Sequence, residues 1–392
     1  MSAKSPRILL RCIAAVVAGF ALLCSAVWGE APVSSPRVLT AQWQQQFSAQ
    51  LTGLDLTWAG QTVALSVAPF TTDGESYVHV YDLTGRELWT AERRRKILSV
   101  SLSYDGQYTA VGLTDFSIAF FAKDGELLWE RKSVGIPALS PPGNTVVAFN
   151  VGIASPPNLF GNPLLEVFPQ DGNKSWSLHR KGRVWRSIVS DQSDLLVGLW
   201  SDEVLLIDRH YRTTWQRLLP KEIMALAISP QDAQYFAIGV GVLKPIVYFY
   251  ERTGRLVWER ELPLGVTDLS LARQGEFLLS YGNTIRGQHL ALYRRSGEME
   301  WTYHLEAPAT ESSKAVIVPD YPLIVAGIQR DERYYLQGFA LTGRLLWIAP
   351  LPEPIFDFRV SRDGRYIAAA TERTLFFFDT QPVNGPKAEL QQ

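Results

Sequence analysis

A glycine followed four places later by a tryptophan recurs down this chain, at Gly85 and Trp89, Gly125 and Trp129, Gly172 and Trp176, Gly254 and Trp258, Gly297 and Trp301, and Gly343 and Trp347. A seventh copy has Tyr211 in the glycine place ahead of Trp215. Successive tryptophans stand 40, 47, 39, 43, 43 and 46 residues apart, and seven of the twelve tryptophans share this one frame. A period of that size describes an array of like units, none of which buries its apolar face alone.

The residues around each copy fix the local structure. A β-rich run such as Tyr77 to Tyr81 leads into Leu83-Thr84-Gly85, and a second run, Glu87-Leu88-Trp89, follows. Glycine supplies the positive φ that a tight hairpin needs, and the alternation on either side is that of half-buried strands. Between hairpins, Val100 to Leu102 ends in a turn at Ser103 to Gly106, and Tyr108 to Gly112 resumes the strand. The same shape recurs at Ala225 to Ser229 with Tyr235 to Gly239, and at Phe356 to Gly364 with Tyr366 to Ala370. Each period therefore holds four short strands, the content of one blade of a β-propeller. Helical periodicity is absent from the body.

Complete units run over 52–92, 96–132, 133–179, 183–218, 221–262, 265–305 and 309–350, and an eighth begins at Ile355 with three strands, the last Thr374 to Asp379. The segment Val38 to Phe47, carrying Trp43, precedes the first unit as each tryptophan strand precedes its successor. We expect it to complete the eighth blade, because an unclosed ring exposes a ladder of unpaired backbone groups. The sequence thus predicts an all-β, eight-bladed propeller of four-stranded antiparallel blades over 38–380, with a polar tail at 381–392. A seven-bladed count is the alternative. The frame tryptophans, Trp43, Trp89, Trp129, Trp176, Trp215, Trp258, Trp301 and Trp347, read as inter-blade packing rather than as a ligand cage, since their place repeats.

The Gly-x-x-x-Trp hairpins, with the Ser-x-Asp-Gly turns at Ser103 to Gly106 and Ser361 to Gly364, resemble the PQQ-like (quinoprotein-like) propeller repeat family. The resemblance spans nearly all of 38–380. The family's docking motif places an aspartate and threonine-glycine ahead of the tryptophan. Only Asp82-Leu83-Thr84-Gly85 comes near it here, with its aspartate one place closer to the glycine. Some relatives are quinone-dependent dehydrogenases, which stack the cofactor beside a disulfide of adjacent cysteines and hold calcium. The only two cysteines here, Cys12 and Cys24, precede the body, so the resemblance implies a non-catalytic propeller with no cofactor. A further likeness within it is to the eight-bladed lipoprotein of outer-membrane assembly.

Other chemistry finds no footing. The body lacks a Gly-x-Ser-x-Gly elbow and a phosphate loop, and His79, His179, His210, His289 and His304 are scattered singly. Asp105 and Asp363 read as turn caps rather than as paired carboxylates. A formal net charge of -1, from 38 basic and 39 acidic residues, gives no global attraction to nucleic acid. The expectation is a binding or scaffolding protein, not an enzyme; a ligand-binding or quinoprotein-type site in the central channel is the competing reading.

Lys4, Arg7 and Arg11 precede an uncharged apolar run from Cys12 to Trp28. That is the pattern of a secretory signal over 1–30, with a retained membrane anchor through 12–28 and a lipid-modified Cys24 as alternatives. All three place the body outside the cytoplasm, in the periplasm or cell envelope. Two basic links between units, Arg93-Arg94-Arg95-Lys96 and Arg180, Lys181, Arg183 and Arg186 with Trp185, should share one face by repeat geometry. They are candidates for meeting an acidic protein segment or an anionic surface; solvated loop charge is the plain reading. The proline-rich insertion Ile153 to Pro163 offers Leu159 and Phe160 as a second candidate contact.

Overall fold

Each period closes into one antiparallel sheet in the computed structural model, its strands running from the ring's axis outward in chain order. Blade 1 comprises Gln50–Leu56, Thr62–Ala68, Ser76–Asp82 and Glu87–Arg93; blade 2, Ile97–Leu102, Tyr108–Leu113, Ser117–Ala122 and Leu127–Lys132. Blade 3 comprises Ile136–Leu139, Thr145–Phe149, Leu165–Pro169 and Trp176–Leu178; blade 4, Val184–Val189, Leu195–Leu199, Glu203–Ile207 and Thr213–Leu218. Blade 5 comprises Ile223–Ile228, Tyr235–Val240, Ile246–Glu251 and Leu256–Glu261; blade 6, Asp268–Leu271, Phe277–Thr284, Gly287–Arg294 and Met299–Leu305. Blade 7 comprises Ala315–Ile317, Leu323–Arg330, Arg333–Ala340 and Leu345–Leu351.

Blade 8 takes its inner three strands, Asp357–Val360, Tyr366–Ala370 and Thr374–Asp379, from the end of the propeller and its outer strand, Trp43–Gln46, from the beginning. The register runs from Trp43 opposite Phe377 to Gln46 opposite Thr374. Backbone bonds from Gln42 to Phe377 (2.8 Å) and from Phe47 to Arg373 (2.9 Å) extend the seam. The expected closure by the 38–47 segment is therefore present and narrower than the segment. Leu39 turns instead to blade 7, donating its N–H to Ile348 at 2.8 Å.

The structure describes residues 35–69, 74–133, 135–151, 163–180, 182–263, 265–284, 287–305, 314–330 and 332–381. No α-helix occurs among them. The chain divides into two units, Met1–Arg37 and Val38–Gln392. Residues 1–30, expected to be a signal or membrane anchor, the 382–392 part of the tail and Leu159 and Phe160 lie outside the described residues.

Burial follows strand position. Second and third strands are buried on both faces, as Tyr235–Val240 and Glu203–Ile207 show. The outer strand Leu127–Lys132 buries Trp129 alone. The apolar core is accordingly divided among the gaps between blades. Ala64, Val78 and Val80 of blade 1 face Val100, Val111 and Phe121 of blade 2. At the seam, Leu51, Leu54 and Tyr81 of blade 1 face Ala368, Leu375 and Phe377 of blade 8. Every gap is filled in this way, so the ring is held by contacts between adjacent units.

Candidate docking face and central channel

The glycine-to-tryptophan spacing has a direct geometric cause. The tryptophan of one blade lies against the hairpin glycine of the next, so close that a Cβ on Gly85 would meet Trp43 at 2.8 Å, one on Gly125 would meet Trp89 at 2.9 Å, and one on Gly343 would meet Trp301 at 3.0 Å. These glycines also have φ near +85°. The indole N–H then donates to a carbonyl of that same turn, Trp43 to Leu83 (3.0 Å), Trp129 to Gln170 (2.8 Å), Trp258 to Arg295 (3.0 Å) and Trp301 to Leu341 (2.7 Å). Trp215 lies against Gly254. Trp176 meets Tyr211, which keeps the turn's positive φ of 62° and stacks on the indole at 5.3 Å. Trp347 packs over Gly338 of its own blade and toward Phe376 and Phe378. Asp105 and Asp363 accept hydrogen bonds from Ser103 (2.8 Å) and Ser361 (2.6 Å) inside their own turns.

The blade-to-blade links and the turns joining second to third strands form one face. Thr114 donates to the Lys96 carbonyl (2.9 Å) and Trp200 to the Arg183 carbonyl (3.0 Å), which is the same pairing repeated two blades apart. The basic residues on this face differ in what they offer. Arg93 turns its guanidinium inward, 4.7 Å from the Phe121 ring centroid, with Nε and Nη2 buried and without a hydrogen-bond partner. Arg180 is taken up by Glu203 (2.9 Å) and Gln216 (2.7 Å). Arg94, Arg95 and Arg186 are exposed, Lys96 and Arg183 half-buried, and Lys181 lies outside the described residues.

Beside Arg183 and Arg186 the face becomes apolar. Trp185 packs on Trp200 with ring centroids 4.4 Å apart, yet the two remain 39% and 58% exposed. Arg186 lies over the Trp185 ring at 5.3 Å. The next link and turn add Leu218, Val242 and Leu243, exposed by 70%, 58% and 84%. Lys221 ties that link to that turn through the Lys244 carbonyl (2.6 Å). Sequence reasoning singled out Trp185 but missed Trp200, Leu218, Val242 and Leu243. Trp200 had a signal: it stands outside the repeat frame.

The channel carries chemistry that the apolar inner strand Ala225 to Ile228 did not foreshadow. Charged residues from the inner strands converge there. Arg359 pairs with Asp357 (2.9 Å) and Asp55 (3.5 Å), and Lys314 with Asp357 (2.5 Å). Asp55 also accepts from the Leu102 N–H of the next blade (2.8 Å). Burial raises Asp55 above the usual carboxylate range, and pushes Asp268 up to about 6 against the pull of Lys314. Burial lowers Lys314, with Arg359 adding to the effect. Asp357 is held below the ordinary range by Arg359 and Lys314, which outweigh the burial opposing its ionisation.

The far end of the channel is bridged. Arg362 of blade 8 reaches Asp191 of blade 4, directly across the ring, at 2.7 Å, and Asp320 of blade 7 at 2.6 Å. Its guanidinium lies 4.2 Å from the Trp58 ring centroid. Backbone bonds between neighbouring turns reinforce the bridge, with Trp58 donating to Tyr104, Tyr104 to Pro141, Asp320 to Arg362 and Arg362 to Trp58 at 2.8–3.2 Å.

Ring closure, four-stranded blades and the interlocking tryptophans define an eight-bladed β-propeller. Residues 39–219 match the family model described as outer membrane protein assembly factor BamB. No curated protein matches the chain. Among solved structures, Sqt1 from Chaetomium thermophilum is similar at 12% identity, covering 88% of this chain and 99% of its own, with a TM-score of 0.69. Sqt1 bound to the N-terminus of the ribosomal protein L10 is similar at 13% identity, covering 85% and 97%, with a TM-score of 0.68. BamB from Moraxella catarrhalis is similar at 12% identity, covering 87% and 99%, with a TM-score of 0.60. At such identities the likeness is one of fold.

Proposed function

We propose that this protein is an exported, non-enzymatic scaffold that holds another protein on the link face of blades 4 and 5, in the assembly of envelope or membrane complexes. The observation that carries the reading is the Trp185–Trp200 pair, left exposed in a fold whose frame tryptophans are buried or half-buried between blades. Large aromatics beside arginine are the residues that dominate protein interfaces. With Leu218, Val242 and Leu243 around them, and Arg183, Arg186 and Lys221 at the margin, the matching partner is an acidic segment carrying apolar side chains. The basic leader and apolar run at 4–28 support export, and the family match over 39–219 supports a place in envelope assembly.

A photoreactive residue placed at 200 or 243 should give one defined adduct in the native membrane fraction, and one at Tyr104 on the opposite face none. Trp200→Ala with Leu243→Ala should weaken partner capture at least tenfold, as expected for hot-spot truncation. Equal adducts from both faces, or capture untouched by the double variant, overturn the reading.

A further inference from the structure

Beyond a docking face, the channel holds a site. A cavity of about 420 Å³ lies on the ring axis among the inner strands of blades 4 to 8. Its charged lining is Arg186, Asp268, Lys314 and Arg359. Lys314 and Arg359 are neutralised by Asp357 and Asp55. Arg186 makes no ion pair among the described residues. Asp268 accepts from the Leu269 N–H (3.0 Å) and from the Ala315 N–H of blade 7, and makes no contact ion pair with a cationic side chain among them. Blade 4 thus presents a cation and blade 6 a carboxylate that no side chain closes into a contact ion pair among the described residues, although Lys314 and Arg186 both act on Asp268 through space. Between them runs the apolar strand of blade 5, with Ala225, Leu226, Ala227 and Ile228 facing the same cavity.

Asp268, Lys314 and Arg359 are half-buried among the inner strands, where charges interact more strongly than in water and are costly when uncompensated, while Arg186 stands exposed at the link-face end. The whole cluster balances: Arg186, Lys314 and Arg359 against Asp55, Asp268 and Asp357. A ligand of net charge would upset that balance, whereas one with separated opposite charges would preserve it. The Arg362–Asp191 bridge spans the other end, so entry is from the link face. The size suits a small molecule that fills a pocket with a few fixed polar anchors.

We propose that the channel binds a small zwitterion of the dipeptide class, its carboxylate on Arg186, its ammonium on Asp268 and its apolar side chain on the blade 5 strand.

Titration calorimetry of the full chain with alanyl-leucine, its N-acetyl derivative and its C-terminal amide tests this. Alanyl-leucine should bind with millimolar affinity or better, and blocking either terminus should weaken binding at least tenfold. Arg186→Gln should erase the penalty for amidation, and Asp268→Asn the penalty for acetylation, with melting curves confirming both variants folded. Leu243→Ala, in the exposed blade 5 turn of the docking face, should leave dipeptide binding unchanged, which separates this site from partner capture. No binding at 10-fold above millimolar concentration, or binding indifferent to both blocks and both substitutions, overturns the proposal.

Discussion

At the residue scale, two requirements meet at each hairpin glycine. The turn needs a positive φ, and the neighbouring indole occupies the space a side chain would fill. Gly125 shows both, with φ of 86° and the Trp89 ring 2.9 Å from where a Cβ would sit. Gly125→Ala should destabilise the propeller by roughly 2–4 kcal/mol, from left-handed strain together with overpacking. Urea unfolding reads this; a loss under about 0.5 kcal/mol, the range of an ordinary surface change, would show that the indole moves aside freely. Tyr211 marks the one described frame turn where an aromatic replaces glycine, and there a stack substitutes for the close approach. The tryptophans outside the frame then gain meaning. Trp58 closes on Arg362, and Trp185 and Trp200 face outward. A repeat that explains most of a residue type points, by exclusion, at the members it leaves over.

At the element scale, the strand Trp43–Gln46 has the greatest leverage for its length. It supplies the outer edge of blade 8 and the indole that enters blade 1's turn, stacking on Phe377 at 5.1 Å. Removing residues 38–47 should leave Thr374–Asp379 as an exposed apolar edge, a template for pairing with another chain. Loss of the Trp43 side chain alone should cost roughly 3–5 kcal/mol. Size-exclusion chromatography of the shortened chain should show dimers or larger species; a stable monomer melting as the full chain does would refute the closure argument. The strand was legible because Trp43 stands where the repeat requires one. Its limits were not: the turn of Leu39 toward blade 7 depends on where Ile348 lies, and nothing near Leu39 in the chain records that.

At the scale of the molecule, the two ends of the channel are unlike. One end is crossed by Arg362, which joins blade 8 to blade 4 and blade 7. Arg362 is 15% exposed and its pair with Asp191 is shielded, so removing one partner strands the other. Arg362→Met should cost roughly 1–3 kcal/mol. It should also raise hydrogen-exchange rates in the turns at 57–61, 190–194 and 318–322, and leave the outer strands protected. Faster exchange spread evenly over all blades would instead indicate that Arg362 stabilises the ring only globally.

The sequence alone determined the repeat, the blade content, the closing strand and the absence of thiol chemistry in the body. These rest on local rules, the positive φ of a turn and the alternation of a half-buried strand, which each period obeys independently. Only the tertiary structure decided which basic side chains stay available. Arg93 and Arg180 are drawn inward by Phe121, Glu203 and Gln216, partners 23 to 36 residues away. It also decided that Asp55, Asp268, Lys314, Asp357 and Arg359 meet on one axis. Those residues span more than 300 positions of chain, and closing the ring brings them onto one axis, so no local pattern records their meeting.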